Sequence, residues 1–275
     1  MDNQLPAEVA PIEGSLLYLT PAAEGPACPR DLSSGATDWP GRSRRYKVPI
    51  NDARPLIKDL ALDLQGFVLV RSQTAVVNFY DEQEVRAVYY PEVERLVKAA
   101  TGTVKVLVFA HDVRSILKAR AGEKGVREPV APVHNDYTTK SGPEHVRALL
   151  AEDEAEERLK HRFVEINVWR PIIGPVQSTP LAVCDARSIA QNDLVPTDLK
   201  HEVYMVRYSS RHRWFYFPEM ETNEVLLIKG FDSMEDGRAR FTAHAAFEDA
   251  TAPTSAPARE SIEARVLVFY GGPHA

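Results

Sequence analysis

Cysteine is almost absent from this 275-residue chain: only Cys28 and Cys184 occur, far apart and with no CxxC pair. That excludes a disulfide framework and a cysteine zinc site, and leaves two reduced thiols as the expectation. Long apolar runs are missing too. No stretch approaches the roughly 20 residues of a membrane span. The opening MDNQLPAEVAPIEGSLLYLT lacks the basic start and apolar run of a signal peptide. Pro273, His274 and Ala275 match no peroxisomal or retention signal. Positive charge is in deficit, with 33 Lys and Arg against 39 Asp and Glu, a net charge of −6. Nucleic acid and anionic membranes both require a cationic face, so neither is an expected partner. The basic run Arg42, Arg44, Arg45 is too short to change that. There is no GxSxG, GxxxxGK[ST] or GxGxxG. Acyl hydrolysis by the usual elbow, P-loop phosphoryl transfer and dinucleotide binding lose their usual markers. The expectation is a soluble, cytoplasmic protein.

What is present is an ordinary globular balance, 44% hydrophobic and 26% charged, enough to build a sizeable core. Residues 1–45, rich in Pro, Gly, Ala and Ser, read as an extended arm. Residues 46–130 read as a mixed α/β flanking region. Leu56, Leu60 and Leu62 suggest a helix over 51–63, followed by a strand at 66–72. Asp81 with Glu84 three residues on is a capping-box pattern. The helix it opens runs to Tyr90 and restarts at Pro91. Val93, Leu96 and Val97 share a face, and Gly102 ends it. A strand follows at 104–111.

After residue 130 the texture becomes that of a β protein. One helix is expected over 143–162, with a solvated charged face. Strands are expected at 163–172, 180–186, 202–209, 212–219, 224–231, 240–247 and 261–270. Ser209, Ser210 and Arg211 form the turn of a hairpin. Seven short strands with polar breaks point to a sandwich, barrel or jelly roll over 131–270, within one catalytic domain spanning the chain.

The pattern that carries chemistry is His134-Asn135-Asp136. On an extended segment, residues i and i+2 point the same way, so an imidazole and a carboxylate can share one metal ion. His244, in a late apolar strand, is the best third ligand. Two His and one carboxylate on one face of a metal leave three positions open, as in non-haem Fe(II) oxygenases. Those positions take a bidentate 2-oxo acid and dioxygen. The competing reading is a strand-end His bonded to its neighbouring Asp. A 2-oxoglutarate co-substrate also needs an anchor for its distal carboxylate. Arg259 with Ser261, opening the strand after His244, suits a forked guanidinium–carboxylate pair with a hydroxyl beside it. Arg265 on the same strand is the rival, with an ion pair to Glu263 or Glu248 as its structural alternative. His111-Asp112 is set aside, because adjacent side chains diverge on a strand.

The stretches HNDYTTKSGPEHVRALL, INVWRPIIGPVQSTPLAVCDARSI, EVYMVRYSSRHRWFYFPEMETNEVLLIKGFDS, RFTAHAAFED and ARESIEARVLVFY occur together and in order. In these the chain resembles the AsaB-like hydroxylase/desaturase family, over roughly residues 40–270. That family includes gibberellin-desaturase-like proteins and a cephem-methoxylation component. The resemblance implies a mainly β fold with flanking helices, built on a double-stranded β-helix (jelly-roll) core. It implies Fe(II) as cofactor and 2-oxoglutarate as co-substrate. Its iron ligands fall on His134, Asp136 and His244, and its 2-oxoglutarate anchor on Arg259 with Ser261, or on Arg265. The implied reaction is hydroxylation, desaturation or oxidative cyclisation of a small natural product or amino-acid-like substrate in secondary metabolism. Tyr137, Asn167, Trp169, Arg170, Tyr204 and Tyr216 are candidate substrate contacts; an aromatic in an alternating strand is otherwise core. The partners are then a small molecule and dioxygen, with a homodimer as the assembly to consider. Two rivals remain: a non-catalytic partner subunit of the same fold, and a jelly-roll metal protein without 2-oxoglutarate chemistry.

Overall fold

The computed structural model describes residues 10–20, 43–103, 105–197 and 202–271. Cys28, His274 and most of the N-terminal arm lie outside them. Fifteen strands occur among the described residues, in two sheets. They are β1 (Ile12–Leu19), β2 (Ser43–Asp52), β3 (Phe67–Arg71), β4 (Lys105–Ser115), β5 (Val126–Arg127), β6 (His134–Asn135), β7 (Phe163–Pro171) and β8 (Leu181–Cys184). There follow β9 (Leu194–Pro196), β10 (Tyr204–Val206), β11 (Trp214–Tyr216), β12 (Glu224–Asp232), β13 (His244–Ala246), β14 (Glu248–Asp249) and β15 (Glu260–Phe269). One sheet has the order β14-β1-β2-β11-β8-β13-β6-β10-β9, the other β3-β12-β7-β15-β4-β5. The two sheets face each other across the core as the expected jelly roll.

Alternation along β15 explains how three layers form. Leu267 and Phe269 turn inward to a core that includes Phe163, Tyr137 and Phe241. Ile262, Ala264, Val266 and Val268 turn outward to pack on Val93 and Val97. Those two valines belong to α2 (Tyr90–Thr101), which covers the second sheet as the apolar spacing predicts. Gly102 closes α2 in the left-handed region at φ 69°, donating to the Lys98 carbonyl. β7 is buried along its whole length because it carries helices on one side and the inter-sheet core on the other.

Several local expectations are corrected. Asp81 does cap α1 (Glu82–Glu84), accepting from the Gln83 and Glu84 amides. Glu84, however, reaches back to the Val77 and Asn78 amides rather than to Asp81. The helix does not break before Pro91. It runs through one π turn over Val85–Tyr89, next to the proline that has no N–H to give. No helix forms over 51–63. Asn51 and Asp52 extend β2, and only a 3₁₀ turn, Arg54–Leu56, follows, held by Arg54 on Glu224 at 2.8 Å. The single helix at 143–162 is two: α4 (Ser141–Leu149) and α5 (Glu152–Leu159), parted where Leu150 becomes extended. A short α3 (Ile116–Arg120) was not foreseen.

The hairpin around Ser209–Arg211 does not exist. β10 pairs with β6 and β9, whereas β11 pairs with β2 and β8. The segment between them is drawn over β1 instead. There, buried His212 contacts the Tyr18 hydroxyl at 3.0 Å and Asp193 at 3.2 Å, and the Trp214 indole donates to the same hydroxyl at 2.6 Å.

Gly230 marks a close approach between β12 and the Tyr137 ring. It sits at a bulge of β12, and a Cβ there would lie 2.4 Å from a ring carbon of Tyr137. Gly230→Ala should therefore destabilise the fold by about 1–3 kcal/mol through overpacking. Urea unfolding of the two proteins measures it, and equal midpoints and slopes would refute the close approach.

Candidate functional site

β6 and β13 are neighbours in the larger sheet, and His134 and His244 stand directly opposite each other. Asp136 follows β6 on the same side. The His134 Nε2 lies 3.6 Å from Asp136 Oδ1, and the His244 Nε2 lies 3.7 Å from Asp136 Oδ2. These separations are too long for hydrogen bonds. One ligand atom from each residue lies within 4.8 Å of the others, so the three could hold one metal ion. The reading of His134 as simply bonded to its neighbouring Asp is thereby set aside.

The tautomers are fixed by the backbone. His134 Nδ1 donates to the Pro132 carbonyl at 2.8 Å, and His244 Nδ1 to the Thr242 carbonyl at 3.1 Å. A carbonyl only accepts, so each Nδ1 carries a proton and each Nε2 is the ring nitrogen turned toward Asp136. The His244 Nε2 is buried with no hydrogen-bond partner, as befits an atom that would ligate a metal. Burial, then the neighbouring His244, pushes the His134 imidazole down to about 4. Burial alone would raise the Asp136 carboxyl. Arg265, then both imidazoles and Asn167, outweigh it and hold the group well below the ordinary carboxylate value. A neutral His134 imidazole beside an ionised carboxylate suits a divalent metal, which takes deprotonated ligands.

A cavity reaches from the two histidines to Arg259, lined also by Arg114, Val130, Trp169, Leu181, Ala246 and Glu263. Arg259 is 4% exposed. It gives one hydrogen bond, to the Thr179 carbonyl at 2.7 Å, and lies over the Trp169 ring at 5.5 Å. Its Nε has no partner, nor has the buried Ser261 hydroxyl on the same side of the chain. Burial, and then Arg114, push this guanidinium down to about 9. Arg265 is differently placed. It donates to Asp112 at 2.7 Å and to Glu263 at 3.1 Å, and Asp112 also takes Arg127 at 3.0 Å. The ion-pair alternative for Arg265 is what is found, with Asp112 in place of Glu248; Glu248 pairs with Arg45 at the surface.

Not all the expected substrate contacts reach this cavity. Trp169 lines it. Arg170, one residue on, points to the opposite face, where it donates to the Ser72 carbonyl beneath the Tyr89 ring. The tyrosines are packed elsewhere: Tyr204 edge-on to Phe241, Tyr216 edge-on to Phe247. Tyr137 and Asn167 are bonded to one another, the tyrosine hydroxyl donating to the amide oxygen at 2.9 Å. Asn167 then donates to Asp136 Oδ2.

Asn135 was missed. Its Nδ2 donates to the carbonyls of Tyr137 (2.6 Å) and Gly230 (2.8 Å), and its Oδ1 accepts from the Thr242 amide at 3.1 Å. It thus ties the His134–Asp136 segment to the turn that orients His244. The available signal was a fully polar side chain between two ligand candidates, on the face opposite theirs.

A family model described as an oxidoreductase/YMDC permease-like domain matches residues 16–269. A hydroxylase/desaturase, efuI of Hormonema carpetanum, is 37% identical over 250 residues, 81% of this chain and 83% of that one. The Fe(II)/2-oxoglutarate-dependent dioxygenase nvfI of Aspergillus novofumigatus is 32% identical over 278 residues, 94% and 97% of the two chains. A solved structure of the iron and alpha-ketoglutarate-dependent endoperoxidase NvfI superposes with a TM-score of 0.82 at 31% identity, covering 95% of this chain and 98% of that one. Fold and relatives together define a jelly-roll oxygenase dependent on Fe(II) and 2-oxoglutarate. Within that class, the chain belongs to the AsaB-like hydroxylase/desaturase family. The readings as a non-catalytic subunit or as a metal protein without 2-oxoglutarate give way to that of an oxygenase acting with dioxygen on a small molecule. No helix among the described residues is long and apolar enough to cross a membrane.

One further buried acid adjoins the site. Glu165 is fully buried, its Oε2 3.1 Å from His145 Nδ1 and its Oε1 without a partner. Burial pushes it up to about 7, against the opposing pull of His145. His145 is itself raised by Glu165, though burial opposes this. Folding therefore binds protons here, and the stability this pair lends is full at low pH and lost as pH rises from about 4.5 through 7. Glu165→Gln should gain on the wild type between pH 5 and pH 8 by about 2–3 kcal/mol, at 1.4 kcal/mol per unit. Parallel stability curves in urea titrations across that range would refute it.

Proposed function

We propose that this chain oxidises a small natural product or amino-acid-like molecule. His134, Asp136 and His244 hold Fe(II), and Arg259 with Ser261 holds the distal carboxylate of 2-oxoglutarate. The observation that carries this reading is the meeting of two donor sets in one buried region. The histidine–carboxylate cluster suits a divalent cation, and the Arg259 guanidinium, with its Nε unpartnered, and the Ser261 hydroxyl suit an anion. Iron bound with 2-oxoglutarate and dioxygen would supply the oxidising power to remove a hydrogen atom from an unactivated carbon.

The protein's own part is binding, orientation and the exclusion of water. The Pro132 and Thr242 carbonyls keep both imidazoles turned with Nε2 inward. Trp169 stacks on Arg259 and holds its fork toward the cavity. Val130, Leu181 and Ala246 give the wall an apolar part, beside the charged Arg114 and Glu263. Trp169 is retained as a substrate or co-substrate contact. Arg170, Tyr204 and Tyr216 are engaged in packing or hydrogen bonding away from the cavity, and Tyr137 and Asn167 are bonded to each other behind Asp136. Whether hydroxylation, desaturation or cyclisation follows depends on the substrate. The acidic net charge supports the absence of nucleic-acid and membrane partners. A reducing, cytoplasmic setting goes with an Fe(II) site and the free, buried Cys184.

Two measurements test the assignment. His134→Ala, Asp136→Ala and His244→Ala should each abolish Fe(II)-dependent conversion of 2-oxoglutarate to succinate; full conversion with stoichiometric iron in any one would remove that ligand. Arg259→Ala should raise KM for 2-oxoglutarate much more than that for the primary substrate. Unpairing a buried charge costs about 2–5 kcal/mol, or about 30- to 4,000-fold. Arg265→Ala should chiefly lower fold stability. If instead Arg265→Ala showed the selective 2-oxoglutarate defect, the two arginines would exchange roles.

A further inference from the structure

We infer that Asn167 is a positioning residue for Asp136, and that Tyr137 in turn orients Asn167. The inference rests on the reading of Asp136 as a metal ligand. Asn167 is fully buried on β7, paired with Arg265 on β15 and with Ile228 on β12. Its amide has two ends and both are in use. Nδ2 donates to Asp136 Oδ2, and Oδ1 accepts from the Tyr137 hydroxyl. An ionised carboxylate only accepts, so the nitrogen must face Asp136, and the oxygen is left to face the phenol.

Tyr137 is itself immobilised. It is 1% exposed, lies against Gly230 where no Cβ could fit, and stands edge-on to His145 with centroids 5.7 Å apart. The order of constraint therefore runs from a packed ring to an amide to a carboxylate. A carboxylate with one oxygen held by an amide has the other to give, and it cannot swing freely about its last torsion. Groups that orient metal ligands in this way commonly set affinity by 10–100-fold.

Cobalt(II) is a suitable probe because it is redox-stable and reports its surroundings by visible absorption. Titrating metal-free, full-length protein without 2-oxoglutarate gives both a Kd and a d–d spectrum. Asn167→Leu, close in shape but unable to donate, should bind Co(II) about 10–100-fold more weakly, with an altered spectrum. Tyr137→Phe should weaken binding less, in the same direction. The double variant should bind no more weakly than Asn167→Leu, because the phenol acts through the amide. Wild-type Kd and spectrum in both single variants, with only the thermal midpoint lowered, would make the pair merely structural and overturn the inference. Additive losses in the double variant would overturn the relay from Tyr137. If Asn167→Leu failed to fold by circular dichroism, Tyr137→Phe would decide alone, a wild-type spectrum counting against. A folded wild type that bound no Co(II) would remove the ligand assignment and this inference with it. Wild-type binding with indifferent variants would remove the inference alone.

Discussion

The structure turns on keeping the Asp136 carboxylate ionised in a nearly dry space between two sheets. Left alone there, a carboxyl group takes up a proton, because burial penalises its charged form. Here Arg265 is the strongest opposing influence, followed by the two imidazoles and the Asn167 amide. A buried guanidinium has the same difficulty with the sign reversed. Arg265 meets it through Asp112 and Glu263, and Asp112 in turn draws on Arg127 and Arg114. One charge requirement thus propagates across β15 and β4 until it reaches half-exposed side chains. This explains why the interior face of β15 is so polar in a strand buried along most of its length.

The parts of this arrangement that were legible in sequence are those written in local periodicity. β7, β12 and β15 are long, strongly apolar runs, and all three stand within a residue of their expected limits. His134 and Asp136 at i and i+2 converge because an extended chain offers no other geometry. Pairing was not legible, since a run of residues states that it is a strand but not which neighbour it takes. The short strands β10 and β11 show this: a polar turn between them suggested a hairpin, and contacts to Tyr18 and Asp193, remote in sequence, sent them apart.

Side-chain direction failed for a related reason. Alternation assigns faces when one side of a strand is wet and the other dry. β7 is dry on both, so nothing in INVWRP distinguished Trp169, which faces the cavity, from Arg170, which faces the helix layer. Asn135 was passed over because its three partners lie at Tyr137, Gly230 and Thr242, two of them far along the chain. The leucines of 51–63 matched a helical spacing, yet Leu56 is exposed and Leu60 packs with Phe67 and Trp169. Tertiary contacts there outweigh a weak local preference.

The two arginines of β15 show how register divides one residue type between two tasks. Arg265 stands two places after Glu263 on its own strand, and Glu263 is paired with Asp112 on β4, so both carboxylates lie within its reach. Arg259 precedes the strand. The positions paired near it are Ser115 on β4 and Pro171 on β7, neither of them acidic. Burial and then Arg114 disfavour its charge, and Glu263 only partly offsets them. Within this cluster Asp112, Asp136 and Glu263 face Arg114, Arg127 and Arg265, and Arg259 is the guanidinium left over. An unmatched buried cation is destabilising unless an anion completes it. Arg265 therefore has its carboxylates built in, whereas the hydrogen bond that Arg259 makes is to a backbone carbonyl.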